Sequence, residues 1–193
     1  MSTLELVAVG TSRGGVNALT ALLAQLPAAL PVPIVIVQHR AASPDAALLS
    51  QLLQDHTALA VVEADDKMPM AAGTVYLAPP DYHLLVEGRG RLALSTEAPV
   101  NAARPSIDVL FESAAEAYGP RVLGVLLTGA SADGAEGLVA IKARGGRAIV
   151  QDPASSECAT MPSAGLAATP VDYVLPLSAI GPRLVALLEG TGT

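Results

Sequence analysis

The chain has 193 residues, a net charge of −7 and a single cysteine, Cys158, and 51% of its residues are hydrophobic. This length fits one domain, residues 1–193, with a sizeable core. The sequence contains no run of about 18 uncharged apolar residues, so direct insertion into a membrane is not predicted. The acidic charge, the 11 Lys and Arg residues and the 3% aromatic content argue against a nucleic-acid partner. One cysteine and an N-terminus without a signal-peptide pattern predict a cytoplasmic protein.

The first half of the chain alternates predicted strands and helices. Short runs of Val, Ile and Leu predict buried parallel strands at residues 4–9 and 33–37, and helices follow at residues 16–25 and 44–55. Ser43 is the predicted N-cap of the second helix. We expect four further strand-like runs to form a hairpin or an addition to the sheet edge, at residues 59–63, 74–77, 83–86 and 92–95.

The second half continues the alternation. Its predicted elements are a helix at 106–118, a strand at 122–127, a helix at 133–144, a strand at 147–150, a strand at 171–175 and a helix at 178–188. Alternation of this kind predicts an α/β fold with a doubly wound, mostly parallel sheet flanked by helices. The short runs would form a small antiparallel hairpin addition to it.

Three polar residues follow three of the predicted strands. Ser12, His39 and Asp133 each come just past the end of a buried run. In open α/β sheets, ligands bind at that edge, so the three side chains are candidates for a serine hydrolase triad. Ser12 lies in a Gly-x-Ser-x-Gly pattern that is typical of a nucleophile elbow. A glycine-rich turn that holds a phosphate is the competing interpretation of the same loop.

A serine hydroxyl needs a neighbouring base, and His39 is the histidine that follows a buried strand. Of the other two histidines, His56 fits a solvated helix end, and His83 fits a structural or a rim position.

The base in turn needs a carboxylate to fix its tautomer. Asp133 could instead cap a helix, and Asp108 and Asp152 are rival carboxylates; Asp152 also follows a predicted strand.

The chain order serine, histidine, aspartate differs from that of ordinary lipases and esterases. Several unusual strings occur in a fixed order along the chain: AVGTSRGG at 8–15, VQH at 37–39, GTVYLAPPDYH at 73–83, NAARPSIDVLF at 101–111, GVLLTGASADG at 124–134, AIVQD at 148–152 and MP at 161–162. In these strings the chain resembles the catalytic domain of CheB-type protein-glutamate methylesterases of bacterial chemotaxis, over residues 7–177.

The resemblance implies hydrolysis of glutamate γ-methyl esters on the cytoplasmic helices of methylated chemoreceptors, or on a related signalling protein. Deamidation of glutamine is a further activity that it implies. The family's nucleophile, base and acid fall on Ser12, His39 and Asp133, and the reaction requires no metal and no cofactor. Family members typically carry an N-terminal receiver domain, and we expect none before the first strand at residue 4.

The candidate oxyanion and substrate residues are Arg13, Ala130, Arg104 and Met161. The family usually has threonine where this chain has Arg13, and a backbone amide at the position of Ala130 helps to hold the oxyanion. Arg104 is retained from the family pattern, whereas Met161 could equally be a packing residue.

Arginine also replaces a family methionine, at Arg40. These departures leave two alternatives open: a hydrolase redirected to another ester, and a signalling module that binds without catalysis. Cys158 as the nucleophile is a weaker alternative, because no histidine lies near it in the sequence.

Overall fold

The computed structural model describes residues 3–40, 47–88 and 90–190. Within these residues the strands are β1 (Leu6–Thr11), β2 (Ile34–Gln38), β3 (Ala60–Glu63), β4 (Thr74–Leu77), β5 (His83–Glu87), β6 (Arg91–Ser95), β7 (Val122–Leu126), β8 (Arg147–Gln151) and β9 (Tyr173–Leu175). The helices are α1 (Gly15–Leu23), α2 (Ala47–Gln54), α3 (Ile107–Tyr118), α4 (Ala135–Ala143), α5 (Thr160–Ala168) and α6 (Leu177–Leu188). Short 3₁₀ turns span Gly119–Arg121 and Pro153–Ser155.

The main sheet has seven parallel strands in the order β3-β4-β2-β1-β7-β8-β9. The chain builds outward from β1 on one side, through β2, and returns to add β7, β8 and β9 on the other side. The strand order therefore reverses at β1, and the crevice at the carboxyl end of such a switch point is where α/β sheets bind ligands.

Alternation along β1 sends side chains into two cores, one on each face of the sheet. Val7 and Val9 pack in a cluster with apolar residues of α1 and α6. Leu6 and Ala8 pack in a second cluster with apolar residues of α3, α4 and the β5–β6 hairpin. Because both faces are covered, the central strands read in the sequence as continuous apolar runs rather than as alternating ones.

The predicted fold class, a doubly wound parallel sheet with a small antiparallel hairpin, is confirmed. The hairpin is β5 paired with β6. The other two short runs form the alternative that the sequence left open, an addition to the sheet edge, because β3 and β4 join the main parallel sheet beside β2. Helix α5 was not predicted, since Pro162 and Gly165 interrupt its pattern; Pro162 lies in its first turn, where a missing N–H is tolerated.

Two further sequence predictions concern the second helix and the membrane. The predicted N-cap Ser43 and residues 44–46 of that helix lie outside the described residues, and α2 is described from Ala47 onward. Among the helices that are described, none is both long and apolar enough to cross a bilayer.

Candidate active site

Ser12 and His39 follow neighbouring strands at the same sheet edge. The register of β1 on β2 pairs Thr11 with Gln38, so the next residue of each strand is Ser12 and His39. The backbone N–H of His39 donates to the carbonyl of Thr11 at 3.0 Å, and that of Ser12 donates to the carbonyl of Thr128 at 3.0 Å. Parallel strands lie about 4.8 Å apart, so this ladder brings the two residues side by side.

The side-chain amide of Gln38 joins the same two residues. Its Nε2 donates to the carbonyl oxygens of Ser12 and His39, at 2.9 Å each. Both partners are acceptors, so the amide must present its nitrogen to them. Gln38 is buried, and it fixes the separation of the two backbones just beyond the end of the regular ladder.

The His39 ring binds Asp133, 94 positions later in the chain. Nε2 of His39 lies 2.7 Å from Oδ2 of Asp133, whose side chain is fully buried, while the His39 side chain is 15% exposed. A carboxylate on Nε2 fixes the tautomer and leaves Nδ1 as the nitrogen that can exchange a proton. No hydrogen bond joins the Ser12 hydroxyl to this ring within the described part of the chain; such bonds often tighten only when substrate binds.

Asp133 is held by donors from the beginning of α3 and from the turn that precedes it. Its Oδ1 accepts from Asn101 Nδ2 at 2.9 Å, Ser106 Oγ at 2.8 Å and the N–H of Asp108 at 3.2 Å, and Oδ2 accepts from the N–H of Ile107 at 2.7 Å. Burial by itself would raise the pKa of Asp133, but the bonds from His39, Asn101, Ile107 and Ser106 outweigh it and lower the pKa to about 2. The carboxylate therefore stays ionised at neutral pH.

A second buried carboxylate lies behind the first. Asp108 accepts the N–H groups of Gly134 at 2.8 Å and Gly137 at 2.7 Å, and Asn101 Nδ2 at 2.7 Å. Burial raises the pKa of Asp108 to about 6, and the nearby charge of Asp133 adds to the effect, although the donated bonds oppose it. Of the two carboxyl groups, Asp108 is therefore the one that takes up a proton first.

Arg13 and Ala130 lie on the two loops that flank Ser12. Both residues are exposed, and the carbonyl of Arg13 accepts from Thr128 Oγ1 at 2.9 Å. Among the residues that are described, neither the N–H of Arg13 nor that of Ala130 has a hydrogen-bond partner. Backbone donors left open beside a candidate nucleophile are what an oxyanion requires.

A cavity of about 380 Å³ opens beside His39. Its lining comprises His39, Arg40, Ala102, Ala103, Arg104 and Pro105. The guanidinium of Arg104 donates to Asp81 Oδ1 at 2.6 Å and to the carbonyls of Thr96 and Glu97. Arg40 pairs with Glu63 at 2.7 Å. The cavity wall thus contains two arginines whose charges are already paired with acidic side chains.

Met161 is fully buried at the start of α5. Its N–H donates to the carbonyl of Gly129 at 2.9 Å, and its side chain fills the space that a Cβ on Gly129 would need. Met161 therefore packs beneath the loop that leads to Ala130, and in this position it can support the loop.

The rival residues have other partners. The carboxylate of Asp152 accepts the N–H of Ala154 at 3.0 Å and caps a 3₁₀ turn, so Asp133 and not Asp152 is bonded to His39. The backbone of Cys158 bonds to the side-chain hydroxyl of Thr128: its N–H donates to Thr128 Oγ1 at 2.9 Å, and its carbonyl accepts from that hydroxyl at 3.2 Å. His83 is buried, accepts the N–H of Ser106 on Nδ1 at 3.2 Å and holds a structural position.

Sequence reasoning missed the residues that hold the candidate triad in place. Gln38, Asn101, Ser106 and Asp108 each contact it, yet only Asp108 was considered, as a rival acid. A weak signal existed, because Ser106 and Asp108 interrupt the apolar face at the start of a predicted helix.

The chain is similar to known proteins over nearly its whole length. The family model for CheB methylesterase matches residues 7–184. A relative from Leptospira interrogans, whose name pairs protein-glutamate methylesterase with protein-glutamine glutaminase, is 45% identical over 183 residues, which cover 95% of this chain and 94% of the relative. The protein-glutamate methylesterase FrzG of Myxococcus xanthus is 45% identical over 184 residues, and there the match covers 55% of the relative.

A solved structure agrees with these sequence matches. The CheB methylesterase catalytic domain of Thermotoga maritima superposes with a TM-score of 0.91 at 33% identity, covering 96% of this chain and all of that one. These similarities confirm the resemblance drawn from the sequence strings and the predicted enzyme class, a hydrolase of the methylesterase type. The chain therefore belongs to the CheB methylesterase family.

Proposed function

We propose that this protein hydrolyses glutamate γ-methyl esters on the cytoplasmic helices of a chemoreceptor or a related signalling protein, with Ser12, His39 and Asp133 as its catalytic residues. The observation that carries the proposal is the 2.7 Å bond between His39 and a fully buried Asp133 at the sheet edge where Ser12 follows β1. The relatives' names supply the substrate class, a methylated glutamate or a glutamine.

In the first half of the reaction, Ser12 Oγ attacks the ester carbonyl carbon, and its proton passes to His39 Nδ1. The C–O bond to the methoxy group then breaks, and His39 returns the proton so that methanol leaves. Asp133 stays ionised throughout, consistent with its lowered pKa, and stabilises the imidazolium that forms.

In the second half, a water molecule gives one proton to His39 and attacks the acyl-serine. The bond to Ser12 Oγ breaks, His39 returns that proton to Oγ, and the glutamate side chain leaves as a carboxylate after its remaining proton passes to solvent. A glutamine substrate follows the same steps with ammonia as the leaving group.

The N–H groups of Arg13 and Ala130 are the proposed donors to the oxyanion, because both flank Ser12 and both are open. Arg104 would border the substrate in the cavity beside His39, and Met161 would act from below by packing under Gly129. The exposed guanidinium of Arg13 would favour an acidic segment of the partner helix.

The same proposal includes a cytoplasmic location and one catalytic domain over residues 1–193, without metal or cofactor. No nucleic acid and no bilayer would be among its partners.

The test is release of methanol from a soluble receptor fragment that carries glutamate γ-methyl esters. We expect Ser12→Ala and His39→Ala to lose nearly all activity. Ser178→Ala is the matched control, because Ser178 is an exposed serine on α6 and should leave the rate unchanged. Covalent labelling by an organophosphonate should likewise require Ser12.

Labelling without methanol release would indicate a hydrolase redirected to another ester. Neither labelling nor release by the wild-type protein would indicate a binding module, and either result would overturn the proposed activity.

A further inference from the structure

Asn101 occupies a turn between the hairpin and α3, and its side chain reaches both buried carboxylates. Its Nδ2 lies 2.7 Å from Asp108 Oδ2 and 2.9 Å from Asp133 Oδ1. We propose that Asn101 is a positioning residue of the reaction, because its amide bridges Asp108 and Asp133 and thereby holds the Asp133 carboxylate in line with His39. This inference rests on the proposed function and names a further residue on which that function depends.

The bridge requires a side chain that donates two hydrogens, as an amide does. Two ionised carboxylates need two hydrogens between them, and the NH₂ group of asparagine supplies both from one nitrogen. A serine hydroxyl offers one hydrogen, and an ionised carboxylate offers none. Asn101 thus satisfies a pair of like charges that would otherwise face each other in a buried position.

The bridge also contributes to the orientation of Asp133 toward His39. Asn101, Ser106 Oγ and the N–H of Asp108 all bind Oδ1, so the His39 ring and the N–H of Ile107 meet Oδ2. Donors fixed on both oxygens prevent the carboxylate from rotating. Asn101 is the member of this set that ties the carboxylate to a second acid.

The backbone of the turn delivers the amide. Val100 and Ala103 exchange two backbone hydrogen bonds, at 3.1 and 2.9 Å, and Asn101 between them has a φ of 52°. Asparagine tolerates this left-handed conformation better than most residues do. The following residues, from Ala102 onward, line the cavity beside His39, so one short segment borders both the cavity and the buried acids.

The test compares two glycine variants at left-handed positions. Asn101→Gly keeps the backbone conformation and removes the amide. Lys67→Gly makes the same kind of change at a φ of 61°, in an exposed turn where Lys67 pairs with Glu87, and should behave as wild type. For Asn101→Gly we expect kcat to fall about ten- to one-hundredfold, which is the effect of losing one hydrogen bond to a charged group. We expect KM to change less than about twofold.

A pH profile separates positioning from a merely structural role. The titratable groups around the bridge are Asp133, His39 on its Oδ2, Asp108 across the amide, and His83 on the N–H of Ser106. The bond from Asn101 lowers the pKa of both carboxyls, so its removal should raise both pKa values. Because the reaction requires an ionised Asp133, the acid limb of kcat/KM should move to higher pH. Asn101→Asp should recover toward the wild-type rate as the pH falls from about 8 to about 6, since a carboxyl donates only when protonated.

If Asn101→Gly has the kcat and the pH profile of the wild type while Ser12→Ala is inactive, this inference is overturned and the proposed function stands. Full activity of Ser12→Ala would overturn both. If Asn101→Gly does not fold, Asn101→Asp decides: a rate relative to wild type that rises toward low pH supports the bridge, and a constant ratio overturns it.

Discussion

Asp133 lies just before α4 and its carboxylate binds the beginning of α3, whereas Asp108 lies in α3 and its carboxylate binds the beginning of α4. Asp133 binds the N–H groups of Ile107 and Asp108 at the start of α3, and Asp108 binds those of Gly134 and Gly137 at the start of α4. Helix N-termini carry partial positive charge, so each carboxylate also neutralises a helix end. The position of the candidate catalytic acid therefore depends on how closely α3 packs against α4.

Gly137→Ala tests this dependence. A Cβ at residue 137 would lie 2.5 Å from Cβ of Phe111 and 3.1 Å from the backbone of Asp108, so α3 and α4 would have to separate. We expect the free energy of unfolding to fall by about 1–3 kcal/mol and activity to fall with it. Denaturant unfolding and methanol release measure the two effects.

Gly88→Ala is the matched control, because nothing lies within 4 Å of a Cβ added there. Equal stability of the two variants would contradict the close packing of α3 on α4.

Asp108→Asn should change how stability depends on pH. The carboxyl of Asp108 titrates near 6 in the folded protein and near 3.8 when unfolded, so between these values the folded state binds more protons. The free energy of unfolding of the wild type should therefore fall as the pH rises from about 4 to about 6, and the variant should lack this contribution. Between pH 4 and pH 7 the free energy of unfolding of the variant should rise relative to that of the wild type by on the order of 2 kcal/mol.

Asp133 acts in the opposite direction, since its lowered pKa gives stability that is present above about pH 4 and is lost as the pH falls toward 2. Urea titrations between about pH 4.5 and 7 isolate the contribution of Asp108. A stability difference that does not vary with pH would show that Asp108 has no raised pKa.

Asp133→Asn should leave a small residual activity. An amide offers one acceptor oxygen where five donors now converge, and its NH₂ group would face a donor. We expect kcat to fall by about 10³- to 10⁴-fold, because the His39 tautomer is no longer fixed. Single-turnover assays measure this loss.

Asp152→Asn is the comparison for that variant, and it should retain the wild-type rate, since Asp152 caps a turn. The reverse pattern, with Asp152→Asn impaired and Asp133→Asn active, would transfer the role of the acid to Asp152.

Gln38→Met should reduce kcat by about tenfold, because the two donors that link the Ser12 and His39 carbonyls are removed. Gln25→Met is a matched control: Gln25 also donates from Nε2 to two carbonyls, those of Ala21 and Leu177, but it lies just beyond the end of α1, away from the candidate site. Equal rates in the two variants would show that the Gln38 link has no catalytic role.

Local patterns were enough to predict a parallel sheet and the approximate positions of its central strands. The apolar runs before Ser12 and His39 are β1 and β2, and those residues follow them as predicted. The runs now assigned to β3 and β4 were harder, because four-residue strands have no periodicity that separates an edge of a parallel sheet from a hairpin. Helix α5 was missed for a related reason, since Pro162 and Gly165 weaken its helical pattern.

The sequence by itself determined that Ser12 and His39 share one sheet edge, because each follows a buried parallel strand and such strands end together. Only the tertiary structure decided that His39 meets Asp133 rather than Asp152, and that Asn101, Ser106 and Asp108 surround that acid. The physical reason is that these contacts join segments brought together by the packing of α3 on β1 and α4, and no spacing along the chain encodes that arrangement.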